Sequence, residues 1–427
     1  MSLGAVLSSL EPSIARILES RLEGQELDAE DAVLLFEVTG REFLALLLVA
    51  DVLRAREAGD EVSYVVNRNI NFTNVCVKTC RFCAFARGVR SEQGYLLPKE
   101  EILRRAQEAV RYGATEVCIQ AGLAPDLKVE DYIEIVRLLR EELPQVHLHV
   151  YSPEEIRYAA DLGRMPVKEL LIALKEAGLD TMPGTSAEIL DDRLRKTIAP
   201  TRLSTAEWIE IIETAHELGI RTSSTMMFGH IETALDRTRH LALLRSIQKN
   251  TGGFTEFVPL SFVHEESPLF LKGEVKGVAP GPSGHDVMRV YAISRLMLGE
   301  SMRNIQVSWV KEGLRMSEQL LSMGVNDLGG TLMNESISTA AGASHGQLMR
   351  PSTLRHTIRR AGKIPIERNT RYETLRRFDH PPEEDPNEPL DRISDPDEAF
   401  GSYEALARDE RFRYEPRSVK RRRLQLA

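Results

Sequence analysis

Four cysteines in 427 residues are too few for a disulfide framework, and that scarcity points to a reducing, cytoplasmic setting. Long apolar runs are also missing. The longest, Phe43 to Ala50, is far below the ~20 residues that a membrane span needs. No basic stretch opens the N-terminus, so no secretory signal is expected. Excess positive charge is absent too: the net charge is -9 and the pI about 5.7, which argues against a polyanion-binding surface and so against nucleic acid as partner. What the chain does have is 42% hydrophobic and 28% charged residues, enough for a large buried core.

The first sixty residues have helical patterning. Asp28, with Asp31 three residues later, makes an N-cap for a helix from Ala29 to Val38. A second helix from Arg41 to Glu57 closes at Gly59. From Ser63 onward, β-rich runs alternate with amphipathic helical stretches. Eight strands are expected: Asn69–Asn74, Thr115–Gln120, His147–Tyr151, Thr181–Met182, Arg221–Phe228, Phe254–Leu260, Asn304–Trp309 and Val325–Leu328. Helical periods at Lys99–Tyr112, Val129–Leu143, Ser204–Leu218 and Thr233–Lys249 lie between them. Ser204 with Glu207, and Thr233 with Asp236, mark helix starts. The expected class is α/β, a (βα)8 barrel of the TIM type, with an open doubly wound sheet as the alternative. The divisions are an N-terminal helical extension over 1–60, the barrel over 61–376 and a mobile, charged, Pro-rich tail over 377–427. The tail ends in the basic cluster Lys420-Arg-Arg-Arg, expected to be solvated.

Chemistry gathers at Cys76, Cys80 and Cys83, a C-x3-C-x2-C spacing after the first strand. Three thiolates within eight residues can wrap one metal centre from a single loop. They leave a coordination position open, as catalytic metal sites do. A zinc loop completed by a distant histidine, or a non-catalytic electron-transfer centre, uses the same residues. Cys118, inside the second strand, is expected to be a small core residue.

The motif Cys76-Val-Lys-Thr-Cys80-Arg-Phe-Cys83 resembles that of the radical S-adenosylmethionine enzymes. The resemblance implies a [4Fe-4S] cluster on the three cysteines, with S-adenosylmethionine on the fourth iron. It places Phe82 near the adenine, Gln120, Ala121 and Gly122 near the methionine end, and Glu188 near the ribose. Where a Gly-Gly pair is expected, this chain has Gln120-Ala-Gly-Leu-Ala-Pro125. Asn67–Cys76, Pro183–Leu190 and Phe228–Thr233 narrow the likeness to the group of aminofutalosine synthase, dehypoxanthine futalosine cyclase and the radical halves of FO synthase. Thr251–His264 and Gly329–Gly346 are similar to the family of the tyrosine-using half. That family cleaves tyrosine between Cα and Cβ and adds the 4-hydroxybenzyl group to 5-amino-6-(D-ribitylamino)uracil, in coenzyme F0 biosynthesis. The implied partners are those two substrates, the other radical subunit of FO synthase, and a ferredoxin or flavodoxin as electron donor. The futalosine cyclase is the competing enzyme reading.

Strand alternation nominates pocket-facing groups. Asn69 and Asn71 oppose Ile70 and Phe72, and His149 opposes Leu148 and Val150. Glu256 stands against Thr255 and Phe257, and Gln306 and Ser308 against Ile305 and Val307. So many polar positions suggest a wet, ligand-holding lumen. Asn69, Asn71, His149, Gln306 and Ser308 are the expected substrate contacts, and Glu256 the expected catalytic acid. His230 and Glu232, after the fifth strand, are expected to move protons or bind substrate.

Overall fold

The computed structural model describes residues 3–416; the basic cluster at Lys420 lies outside them. Strand β1 (Glu61–Val65) continues across Val66 into β2 (Asn67–Ile70). From β2 a parallel sheet runs in chain order through β3 (Glu116–Ile119), β4 (His147–Val150), β5 (Thr181–Met182), β6 (Arg221–Phe228) and β7 (Phe254–Ser261). Parallel bridges from Phe257 to Ile305 and from Gln306 to Asp327 carry the pairing on to β8 (Asp327–Gly330). Strand β8 pairs with β1 and so returns to the start of the ring. Eight staves surround one lumen, as expected of an α/β barrel of this type.

The seventh stave is slighter than its sequence suggests. Asn304–Trp309 was expected to be a strand, yet only Ile305 and Gln306 make bridges, and Trp309 opens a helix to Leu320. Side-chain amides stand in for part of the ladder there. The Asn326 Oδ1 accepts from the Ile305 N–H at 2.9 Å, and the Asn304 Nδ2 donates to the Thr255 carbonyl at 2.9 Å. Two further strands were not expected. Strand β9 (Ile364–Arg368) pairs parallel with β1, and β10 (Thr374–Arg377) pairs antiparallel with β9.

Helix starts follow the local signals. Asp28, Ser204 and Thr233 each accept from the backbone N–H three residues on. The N-terminal helices Ala29–Glu37 and Gly40–Ala58 belong to the same continuous apolar core as the barrel. They are tied down by Arg245 and Arg289, which donate to the carbonyls of Leu27 and Val38. No helix among the described residues is long and apolar enough to cross a membrane.

The segment expected to be a mobile tail is built into the fold as far as the described residues extend. Six of its apolar side chains, Phe378, Leu390, Phe400, Tyr403, Leu406 and Tyr414, are buried, and Ile393 and Phe412 pack partly buried against the same core. It returns to the cysteine loop. The Tyr403 hydroxyl donates to the Phe85 carbonyl, and backbone hydrogen bonds join Leu96 to Phe412 and Tyr414 to Gly94. A charged composition does not exclude order when sparse apolar anchors meet a prepared surface.

Candidate functional site

A cavity of about 440 Å³ occupies the lumen and opens toward the cysteine loop. Register sets its walls. Asn67, Glu116 and His147 stand level across β2, β3 and β4, and Asn69, Cys118, His149 and Thr181 stand level one step above. The alternate residues Val117, Ile119, Leu148 and Val150 are fully buried in the core.

At one end lie Cys76, Cys80 and Cys83, all half-buried and all on the cavity wall. Backbone hydrogen bonds fix their loop: Cys76 N–H to the Arg87 carbonyl, Val77 N–H to Leu123 and Arg81 N–H to Ile198. Burial pushes the Cys80 thiol up to about 12, against the pull of Arg202 and with a further push from Cys83 and Cys76. Burial raises the Cys83 thiol as well. Thiols in such a setting need a cationic centre to hold them as thiolates. Three thiols carried by one loop, open on its cavity side, fit a metal centre that keeps one position free.

Around that end stand Phe82, Gln120, Ala121, Gly122 and Glu188, all on the cavity wall. Gly122 approaches the cysteine loop so closely that a Cβ there would lie 2.4 Å from the Val75 carbonyl oxygen. The Ala121 N–H donates to Glu155 at 2.9 Å, and the Gln120 amide oxygen accepts from Thr185 at 2.7 Å. Glu188 sits in the left-handed region with φ 42°, near Ser186 at φ 66°, a strained pair of the kind that clusters at functional sites. It accepts from Arg202 at 2.7 Å, and Arg202 also pairs with Glu154 and lies 5.9 Å from the Phe82 ring centroid. Lys78 completes this charged collar, 2.9 Å from Glu154.

The far end is polar and desolvated. Burial lowers His149 to about 4, and its Nδ1 shares a 2.7 Å hydrogen bond with Thr181. Burial opposes ionisation of Glu116, but the adjoining histidines and hydrogen bonds from Asn67 and Thr370 overcome it and hold its pKa below the usual carboxylate value. Glu256 goes the other way. Its carboxyl is raised by burial to about 7, despite Arg368, and its Oε2 has no hydrogen-bond partner. Strand β9 closes this end: Arg368 grips Asp327 at 2.5 and 3.0 Å and reaches Gln306 at 3.4 Å, while Thr370 donates to Glu116. The Tyr372 ring packs 3.9 Å from the Arg368 guanidinium.

The lumen thus gathers Asn69, His149, Glu256, Gln306 and Ser308 with the cysteine end. Three expected site residues stand elsewhere. Asn71, beyond the end of β2, uses its amide to hold the Gln120 carbonyl at 2.8 Å. His230 and Glu232 are off the cavity wall and form a turn. Glu232 accepts from the N–H groups of Gly229 and His230 and from Arg237, and His230 Nδ1 lies 3.1 Å from it. Their polarity serves the β6 turn. Cys118, expected in the core, lines the cavity. Alternation from Gln120 back through Cys118 to Glu116 was the signal for both Cys118 and Glu116. Lys78, Glu154, Arg202, Lys311, Arg368 and Thr370 also reach the wall; Lys78 lies within the cysteine motif, Glu154 and Lys311 in the first turns of helices, and the others in a loop and around β9.

Comparison with known proteins agrees with this arrangement. Residues 70–244 match the model of the radical SAM superfamily, and residues 251–380 match that of the CofH/MqnC C-terminal region. A protein of Methanothermobacter thermautotrophicus named 5-amino-6-(D-ribitylamino)uracil--L-tyrosine 4-hydroxyphenyl transferase is 48% identical over 360 residues, 84% of this chain and 97% of that one. The chain belongs to this transferase family. Other members show similar likeness. One from Methanosarcina mazei is 50% identical over 80% of this chain and 89% of its own, and one from Methanocaldococcus jannaschii is 45% identical over 83% and 99%. Solved structures show the same fold. The FeFe-hydrogenase maturase HydG from Carboxydothermus hydrogenoformans superposes with a TM-score of 0.65 at 16% identity, covering 87% of this chain and 83% of its own. Methylornithine synthase superposes with a TM-score of 0.58 at 19% identity, covering 78% and 88%. In this chain the cysteine end and the polar floor belong to one barrel cavity.

Proposed function

We propose that the chain is a radical S-adenosylmethionine transferase. It cleaves L-tyrosine between Cα and Cβ and joins the 4-hydroxybenzyl group to 5-amino-6-(D-ribitylamino)uracil. The observation that carries this reading is near-full-length identity of 45–50% to proteins named for that transfer. Cys76, Cys80 and Cys83 would hold a [4Fe-4S] cluster, and Phe82, Gln120, Ala121, Gly122 and Glu188 would hold the nucleotide. That pair, when bound, supplies a carbon radical able to take hydrogen from a substrate.

The protein's own groups do the rest. Arg202 neutralises the collar beside the cysteines and keeps Glu188 and Glu154 in place. Arg368, Tyr372 and Thr370 plug the far end and keep water from a reactive intermediate. Asn69, Gln306 and Ser308 offer both donors and acceptors to a uracil edge and ribityl hydroxyls. Glu256, poised near neutrality, can either accept or give a proton where the amine of one substrate or the ring of the other must change protonation. A ferredoxin or flavodoxin would supply electrons, and the complementary radical subunit of FO synthase would take the product onward.

The test is anaerobic incubation of the reconstituted enzyme with reductant, S-adenosylmethionine, tyrosine and the aminouracil, followed by mass analysis. An adduct bearing the 4-hydroxybenzyl mass, dependent on both substrates, is expected. Turnover of a dehypoxanthinylated futalosine in place of tyrosine would establish the cyclase reading instead.

A further inference from the structure

Among the described residues, four fixed cations reach the cavity wall: Lys78, Arg202, Arg368 and Lys311. Three are already neutralised. Lys78 pairs with Glu154, Arg202 with Glu154 and Glu188, and Arg368 with Asp327. Lys311 differs. Among the described residues, no carboxylate lies within ion-pair distance of its ammonium, and it donates no side-chain hydrogen bond.

Two acids face it from further off, Glu335 and Glu312. Glu335 is engaged by the backbone N–H groups of Ile337, Ser338 and Thr339. Glu312 accepts from the Ser261 hydroxyl at 2.5 Å, and burial raises its carboxyl to about 7. Neither lies within ion-pair distance of the ammonium, and both already have hydrogen-bond donors of their own. Burial also lowers the Lys311 pKa, as expected of a half-buried ammonium with no acid in ion-pair contact. An uncompensated cation in a half-enclosed cavity is costly unless a ligand brings the anion.

We infer that Lys311 receives the α-carboxylate of the amino-acid substrate, an assignment that rests on the proposed function. The aminouracil carries no carboxylate, so it cannot supply the missing charge. The nucleotide does carry one, but Lys311 opens the helix after the seventh stave, bonded through its N–H to the Ser308 carbonyl and near Glu312, which holds Ser261. The cysteine loop instead packs on Gly122, and Cys80 faces Arg202 and Glu188. A carboxylate anchored at Lys311 fixes the amino-acid backbone in the upper lumen and leaves the phenol to lie along the remaining polar wall. Lys311 is thus a specificity-determining residue, separating an amino acid from its decarboxylated amine.

The test is equilibrium binding of labelled tyrosine to the reconstituted enzyme, with S-adenosylmethionine present and reductant withheld so that no turnover occurs. Lys311→Met is expected to weaken tyrosine binding about 10- to 100-fold, the range for loss of one charge-assisted hydrogen bond. Lys311→Arg should recover part of it. Tyramine, lacking the carboxylate, should bind wild type and Lys311→Met alike, and that equality also certifies an intact pocket. Unchanged tyrosine affinity in Lys311→Met overturns the assignment, as does equal loss for tyramine. Loss confined to S-adenosylmethionine assigns the residue to the nucleotide and overturns it too. A wild-type enzyme that binds no tyrosine removes the proposed function itself, and this assignment with it.

Discussion

Replacing Glu256 by Gln keeps the shape of the side chain and removes only its capacity to ionise. In the folded protein that carboxyl is 8% exposed, and burial raises its pKa from 4.5 to about 7, against the opposing pull of Arg368. Below the unfolded value the group is protonated in both states and costs nothing. As pH rises toward the folded value, the unfolded chain ionises first and stability is lost. Above the folded value the full loss is reached, roughly 3 kcal/mol for a shift of this size. Gln escapes that loss. From about pH 5.5 to about pH 8.5, the stability advantage of Glu256→Gln over wild type should therefore grow by about 2 kcal/mol.

Anaerobic urea unfolding at those two pH values measures the difference directly through the shift in midpoint. The same variant should lose most of its turnover while keeping its iron, since Glu256 lies away from the cysteine loop. A gain in alkaline stability joined to a loss of activity is the mark of a group kept for function at the expense of the fold. A stability advantage over wild type no larger at alkaline pH than at acid pH would refute the argument from burial. Full turnover in the Glu256→Gln enzyme would remove this carboxyl from the chemistry.

Gly122→Ala should disturb the cysteine loop through the Val75 carbonyl, 2.4 Å from the added Cβ; overpacking of this kind costs about 1–3 kcal/mol, and iron content after reconstitution should fall. Tyr403→Ala removes a buried ring 5.4 Å from Phe85 and the hydrogen bond to its carbonyl. A cost of about 3–5 kcal/mol is typical of such a truncation, and chelators should strip iron faster from this variant. Tyr403→Phe, which keeps the ring, should show about 1 kcal/mol and little change in iron release.

Much of the barrel was legible because each stave and helix carries its own periodicity. The strands at Arg221–Phe228 and Thr181–Met182 fall where alternation and turn residues put them. The cysteine loop was legible because its three ligands are local. The seventh stave was overestimated, since Asn304 and Asn326 satisfy through side chains what a ladder would supply. Strand β9 was missed because Pro365 interrupts its apolar run, and β10 because its residues are mostly exposed and polar. The segment after Arg377 hid its order behind charge: its anchors are isolated, and what they meet lies elsewhere in the chain. Arg202, Lys311 and Arg368 were invisible for a related reason. Their partners, or the lack of them, are set by tertiary convergence alone.

The two matched regions divide the cavity as well as the chain. Residues 70–244 bring the cysteine loop, Gln120–Gly122 and Glu188, the groups suited to a cluster and its nucleotide. Residues 251–380 bring Glu256, Ser308, Lys311 and Arg368, and with β9 they close the floor. On the proposed function, the first region would serve formation of the radical and the second would shape what the radical meets. His149 and Asn69 reach across from the first region to the polar floor, so the division is not complete. Strand β9, paired with β1, brings Arg368 to the polar end of the cavity. Locked to Asp327 and packed on the Tyr372 ring, Arg368 lies across that end.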